Sequence, residues 1–274
     1  MYAMDTSEIS MPAKFMTTQN EGNRLKLFPS NTYFTKFCVE SAEVHNRSGV
    51  SATCGFGGVL PLALWGAGQW DESDYVAGTV MDEDTTDAQD DGTNDFVLDV
   101  VGTNNDGFVI YSDVPFNIVS VIVGQASSAA TVWAAYYSKP STSTGFSSNY
   151  GTFSNMLVAP SFGTTGEKLI WFTPPSDWVK TSSTTAVVNR HGLGIPADKY
   201  VLVVKSTTAP NSTAGLASKI VVGRMVYSTE AIPDNGVLSI VAPFELPSYL
   251  ESMAAAISDV TAVNSRATAT YRLG

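Results

Sequence analysis

The chain has little of what catalysis and metal binding are built from. Among 274 residues there are two cysteines, Cys38 and Cys54, and two histidines, His45 and His191. Two cysteines cannot form a disulfide framework, and their spacing matches no metal motif, so they read as buried thiols with a Cys38–Cys54 disulfide as the lesser alternative. Zinc needs clustered Cys or His ligands, and no His-x-x-x-His pair or Cys/His cluster is present. No Gly-x-Ser-x-Gly elbow occurs, and a triad would have to recruit His45 or His191, which lie beside Asn46-Arg47 and Arg190-Gly192 and read as ordinary loop histidines. The glycines of Gly55-Phe56-Gly57-Gly58 and His191-Gly192-Leu193-Gly194 fit neither the phosphate-loop nor the dinucleotide fingerprint and read as turns. The chain is therefore expected not to be an enzyme and to carry no cofactor.

Basic residues are scarce as well. Lys and Arg number 15 against 26 Asp and Glu, for a formal net charge of −11, the wrong sign for neutralising phosphates. A nucleic-acid partner is not expected. No Lys or Arg lies between Arg47 and Lys139, a stretch that holds half of the acidic residues. No run approaches ~18 consecutive apolar residues, and residues 1–30 lack a basic segment followed by an apolar one. The expectation is a soluble chain made in the cytoplasm, without a membrane partner; Asn46-Arg47-Ser48 and Asn211-Ser212-Thr213 then read as chance glycosylation triplets. Internal repeats and heptads long enough for a fibre shaft are missing too.

What is present is a β-rich composition. Hydrophobic residues make up 44% of the chain and charged ones 15%, below the roughly 25% of an ordinary domain, with Ser, Thr, Gly, Asn and Ala filling the difference. Residues 1–31 show no periodicity and read as an extended arm whose few apolar side chains need a surface to cover. From residue 32 to 245, β-favouring runs alternate with turn clusters. These runs are Tyr33 to Val39, Val59 to Trp65, Phe96 to Val101, Gly107 to Tyr111, Phe116 to Val123, Thr131 to Tyr137, Lys168 to Phe172, Tyr200 to Lys205, Lys219 to Tyr227 and Val237 to Val241. About ten strands without interleaved helices predict an antiparallel β-sandwich. Runs such as Ile118 to Val123 and Tyr200 to Val204 are apolar at nearly every position, so one sheet should be covered on its outer face by the arm, the C-terminal segment or another subunit.

In residues 246–274, Ser248-Tyr249-Leu250-Glu251 has capping-box spacing after Pro247. Leu250, Met253, Ala254, Ile257 and Thr261 follow at helical intervals, which predicts one short amphipathic α-helix and then an extended tail.

The acidic segment Asp71 to Asp95 is the main candidate for chemistry. Asp90-Asp91-Gly92-Thr93-Asn94-Asp95 offers carboxylates around a turn, but without the order of an EF-hand. It reads first as a solvated loop and second as a cation site. Two of its carboxylates could serve a glycosidase only if a cleft held them at a defined separation. Trp133 and Trp171, inside strands, read as core; Trp65, Trp70 and Trp178, near turns, are better placed for a ligand or partner. Thr173-Pro174-Pro175-Ser176-Asp177-Trp178 is a stiff connection ending either in a contact surface or in a Trp folded back on the core.

Asp84 to Phe96, Asn105-Asp106-Gly107-Phe108, Leu169 to Trp178 and Lys219 to Tyr227 together resemble the capsid decoration, or cement, proteins of tailed bacteriophages, a likeness of style and strand order over roughly Val80 to Thr229. The resemblance implies a jelly-roll-like sandwich, commonly a homotrimer, on the outer capsid surface of the virion, with the major capsid protein as partner. Phe15, Arg24, Lys26 and Phe28 of the arm would then cross onto the capsid protein. Leu250, Met253 and Ile257 would pack in the trimer or on the sandwich, and Trp178 would lie in a contact. The alternative is a tail-fibre or spike head that grips host glycans through Trp70, Trp178 and Asp side chains. A secreted cell-surface protein is disfavoured by the missing leader.

Overall fold

The computed structural model describes residues 9–14, 36–47, 49–75, 78–90, 92–140, 145–154, 156–181, 191–192, 194–210, 212–240, 244–247, 252–257 and 266–273. Along the chain run β1 (Ile9–Lys14), β2 (Lys36–His45), β3 (Ala52–Pro61), β4 (Trp65–Trp70), β5 (Met81–Glu83), β6 (Phe96–Val97), β7 (Gly107–Ser112), β8 (Ile118–Gln125) and β9 (Val132–Ser138). They are followed by β10 (Tyr150–Thr152), β11 (Met156–Val158), β12 (Gly166–Phe172), β13 (Tyr200–Thr208), β14 (Leu216–Ile232), β15 (Val237–Ile240), β16 (Phe244–Pro247), β17 (Ser252–Ile257) and β18 (Arg266–Leu273). The helices are short: a 3-10 turn (Glu72–Asp74), α1 (Thr85–Gln89) and α2 (Phe146–Asn149). The protein is all-β and its pairings are antiparallel, as composition and turn spacing predict.

Two compact units divide the chain, Leu62–Val222 and a second made of Met1–Pro61 with Gly223–Gly274. Their boundaries fall inside the stretch 32–245 that reads as one sandwich in the sequence.

The unit Leu62–Val222 is a β-sandwich. One sheet has the order β10-β9-β13-β7-β4-β5, and the other runs β11-β12-β8-β14, with β6 also on β14. Successive residues of a strand point to opposite faces, and this period of two distributes the core. Phe108 and Ile110 of β7 and Leu202 and Val204 of β13 join Val119, Val121 and Val123 of β8 and Ile170 and Phe172 of β12 between the sheets. Val109, Val201 and Val203, on the intervening positions, enter a second cluster with Trp70, Val80, Met81, Tyr150 and Ile195 on the outer face of the first sheet. An outer cover, as the apolar runs require, therefore exists on this sheet, but the unit's own connections supply it through Tyr75, Phe146 and the segment at Ile195, not the arm, the C-terminal segment or another subunit.

In the other unit β2 is central, with the order β1-β18-β2-β15 and β16 also on β2. The Gly223–Ile232 part of β14 pairs with β3, and β3 with β17. One expectation takes a definite form here and another changes. Part of the extended arm, Ile9–Lys14, is a strand paired with β18 in the chain's own sheet. The C-terminal helix is not formed over its central residues: Ser252–Ile257 is a strand antiparallel to β3, with Met253 opposite Gly58 and Ile257 opposite Cys54. The physical reason is context. A helix of three turns is marginal alone, while β3, with glycines at 55, 57 and 58, offers a row of backbone donors and acceptors that a Ser-Met-Ala-Ala-Ala-Ile segment can satisfy. The tail, Arg266–Leu273, is extended as expected. Asn46 is buried with its amide nitrogen donating to the carbonyls of Val50, Ile232 and Pro233 at 2.8, 2.9 and 3.1 Å, which engages the first glycosylation triplet in structure.

Candidate interaction surfaces

Of the residues expected to contact a capsid or a second subunit, Phe15, Arg24, Lys26, Phe28 and Leu250 lie outside the described residues. Met253 and Ile257 are strand residues of β17. Trp178 is buried, which overturns its reading as an exposed contact. Pro174 and Pro175 carry the chain off the end of β12, the Trp178 N–H closes a turn onto the Pro175 carbonyl at 3.2 Å, and the indole turns inward. Its ring lies 5.1 Å from Phe116, 5.7 Å from Phe172 and 5.6 Å from Tyr200. Its Nε1 donates to Ser138 Oγ and to the Val201 carbonyl, both at 3.2 Å. The Ser138 hydroxyl in turn accepts from the Val201 N–H at 3.2 Å and donates to the Val179 carbonyl at 2.6 Å, so β9, β13 and the loop are tied together at one buried point.

Trp70 is buried too, while Trp65 and Trp133 are half-buried against the inter-sheet core. Trp171 is core, as expected. The glycan-binding alternative thus loses both nominated indoles.

Much of the acidic segment is consumed by local structure. Asp71 caps the 3-10 turn, its Oδ1 accepting from the Ser73 N–H at 2.8 Å and the Ser73 hydroxyl at 2.6 Å. Thr85 Oγ accepts from the Ala67 N–H at 2.8 Å and donates to a Glu83 carboxylate oxygen, and Glu83 also accepts from Tyr111 at 3.0 Å. Asp90 accepts from the Gly92 N–H, and Asp95 from the Thr93 hydroxyl. Burial and the neighbouring Asp87 hold the Asp84 carboxyl above the ordinary range. Among the described residues, no three His, Cys, Asp or Glu side chains are arranged to hold a metal ion.

The feature that no local sequence signal announces lies where β4, β7 and β13 meet. Lys205, on β13, is 4 % exposed, and its ammonium pairs with Glu72 of the 3-10 turn. The same ammonium lies 4.0 Å from the ring centroid of Phe146 and 4.8 Å from that of Tyr136. Around it Trp70, Tyr75, Phe146 and Tyr150 meet largely edge to face, at 5.6 to 6.4 Å, with Phe146 stacked on Tyr150 at 4.9 Å. Burial pushes the Tyr75 hydroxyl up to about 12. Asp106, just before β7, is 5 % exposed, and burial followed by the charges of Asp71, Glu72 and Asp74 raises its carboxyl to about 6. Lys205 stands in a run that reads simply as strand, and Asp106 in a cluster that reads simply as turn; only the fold brings them to one edge.

His191 lies beneath this cover, its Nε2 3.2 Å from the Lys139 carbonyl, and burial lowers its pKa. His45 ends β2, 3.1 Å from the Glu43 carboxylate. Exposed apolar side chains of the sandwich include Leu64 and Val114, whose backbones are linked through Ser112 Oγ, Val100 and Val101 in the connection after β6, and Val132 at the start of β9. Leu64, 74 % exposed, is the most open of them. No protein-family model, no curated protein and no solved structure matches the chain.

Proposed function

We propose that this chain is a virion structural protein that decorates the outer surface of a phage capsid and bridges neighbouring capsomers. The observation that carries the reading is the strand order of the Leu62–Val222 sandwich. Its strands β6, β7, β8, β9, β10, β12, β13 and β14 lie as β6-β14-β8-β12 in one sheet and β7-β13-β9-β10 in the other. Numbered consecutively, these eight are ordered 1-8-3-6 and 2-7-4-5, which we read as the two-Greek-key winding of a jelly roll, an architecture of viral capsid and lectin domains. Strands β4, β5 and β11 extend the sheets at their edges.

Three further features support it. The net charge of −11 keeps such a subunit off packaged nucleic acid. Exposed Leu64, Val114, Val100, Val101 and Val132 offer small apolar contacts, whose modest individual affinity is multiplied when many copies sit on one lattice. The ring-lined cover closes the first sheet without help from a partner, leaving the turns rather than the sheet face to make contact. The homotrimer and the capsid-protein contact belong to the same proposal.

The test is co-sedimentation of the full chain with purified capsids lacking it. Saturable binding that Leu64→Asp weakens, with the melting temperature unchanged, is the expected result. Failure to sediment above a control protein of equal charge overturns the proposal.

A further inference from the structure

Asp106 has an oxygen, Oδ1, that is buried and has no hydrogen-bond partner. Buried carboxylates are ordinarily matched by donors, by a cation or by a metal. The pairing of Trp70 with Gly107 instead sets the turn that leaves β4 beside Asp106, and the like charges of Asp71, Glu72 and Asp74 on that turn act on it. The cation on the adjoining strand, the Lys205 ammonium, is committed to Glu72 and to the rings of Phe146 and Tyr136. Asp106 is fixed in place through its backbone, its carbonyl accepting from the Ser206 N–H at 2.9 Å and the Ser206 hydroxyl at 3.1 Å. Its backbone is thereby pinned at the start of the β7–β13 ladder. An oxygen without accessible surface has no room for a metal or an ammonium, so the cation that fits is a proton.

The turn beside Asp106 is also the piece that closes the aromatic cover. The Asp71 N–H donates to the Val80 carbonyl at 3.0 Å, the Tyr75 N–H to the Glu72 carbonyl at 3.1 Å, and the Tyr75 ring lies against Trp70, Phe146 and Tyr150. We propose that Asp106, with Asp71, Glu72 and Asp74, forms a proton-operated latch: protonated Asp106 lets the 71–75 turn sit down on the sheet, and ionised Asp106 repels it. Tyr75 and the cover move with the turn.

The sign follows from linkage. Opening the turn returns Asp106 toward its ordinary value of 3.8 from about 6 in the closed form. The closed form therefore binds the proton more tightly, and closure strengthens as pH falls through about 6 toward the open-state value. Between about pH 7.5 and about pH 5 the opening equilibrium should shift roughly tenfold toward the closed turn.

Amide hydrogen exchange on the full chain, corrected for intrinsic rates, reads this at the Asp71 and Tyr75 amides. The wild-type protection factor is expected to be roughly tenfold higher at about pH 5 than at about pH 7.5. In Asp106→Asn it should be high at both. Equal wild-type protection at the two pH values, or a pH change that survives Asp106→Asn, overturns the latch. If that variant does not fold, the carboxyl carbon resonance of Asp106 in the wild type decides, since a titration midpoint at the ordinary aspartate value leaves nothing to operate the turn.

Discussion

Replacing Trp178 by Ala separates a core role from a contact role. The indole is 7 % exposed and packs edge to face with Phe116 and Phe172 and, across the sandwich edge, with Tyr200. Truncating a buried Trp to Ala costs about 3–5 kcal/mol from lost transfer energy and the cavity left behind. Ser138 Oγ and the Val201 carbonyl also lose their shared donor, and this adds to the upper part of that range. At about 2–4 °C per kcal/mol for a domain of this size, the melting temperature should fall by roughly 6–20 °C. Trp178→Phe keeps most of the ring contacts and gives up the N–H, so about 1–2 kcal/mol is expected. Calorimetry or a urea titration of the wild type and both variants measures the series. A melting temperature unchanged in Trp178→Ala, with weakened capsid binding, would refute the burial argument and return Trp178 to the surface.

Three other substitutions and one chemical treatment test the remaining packing claims. Lys205→Met should change stability by no more than about 1 kcal/mol, because its methylenes still cover the Phe146 and Tyr136 rings and Glu72 is partly exposed to water, whereas Glu72→Ala strands a buried ammonium and should cost about 2–4 kcal/mol by chemical denaturation. Gly107→Ala would place a methyl group 2.0 Å from the Val204 carbonyl oxygen, so β7 and β13 must part, and a loss above about 2 kcal/mol or failure to fold is expected in a thermal melt. The Cys54 thiol, buried and pushed up to about 11, should resist alkylation in the folded protein and react fully once unfolded, as read by peptide mass mapping.

How legible these features are in the sequence depends on how local their causes are. Strands such as Ile118–Gln125 and Tyr200–Thr208 announce themselves because β-branched runs bounded by turns have few other uses. Their burial on both faces is legible too, since apolar residues at consecutive positions need two covers. The identity of the cover is not: Tyr75 and Phe146 come from short connections whose residues look like ordinary loop. The segment 252–257 is misleading in the opposite sense. Its helical spacing is real, but spacing is a local preference, and the glycine-containing strand β3 offers backbone pairing that outweighs it. Trp178 shows the limit of reasoning from turns, since two prolines fix where a loop stiffens and not whether the next side chain points in or out. Asp106 and Lys205 illustrate long-range causes, for they lie 99 positions apart along the chain and share an edge only because β7 pairs with β13.

The placement of this chain on a virus shell is tested most directly by its copy number relative to the major capsid protein in purified particles, measured by quantitative mass spectrometry with particle location by labelled-antibody electron microscopy. A fixed ratio set by the number of capsomers, with label spread over the whole outer shell, is the predicted result. A few copies confined to one vertex or to the tail, or none in the particle, would contradict the account.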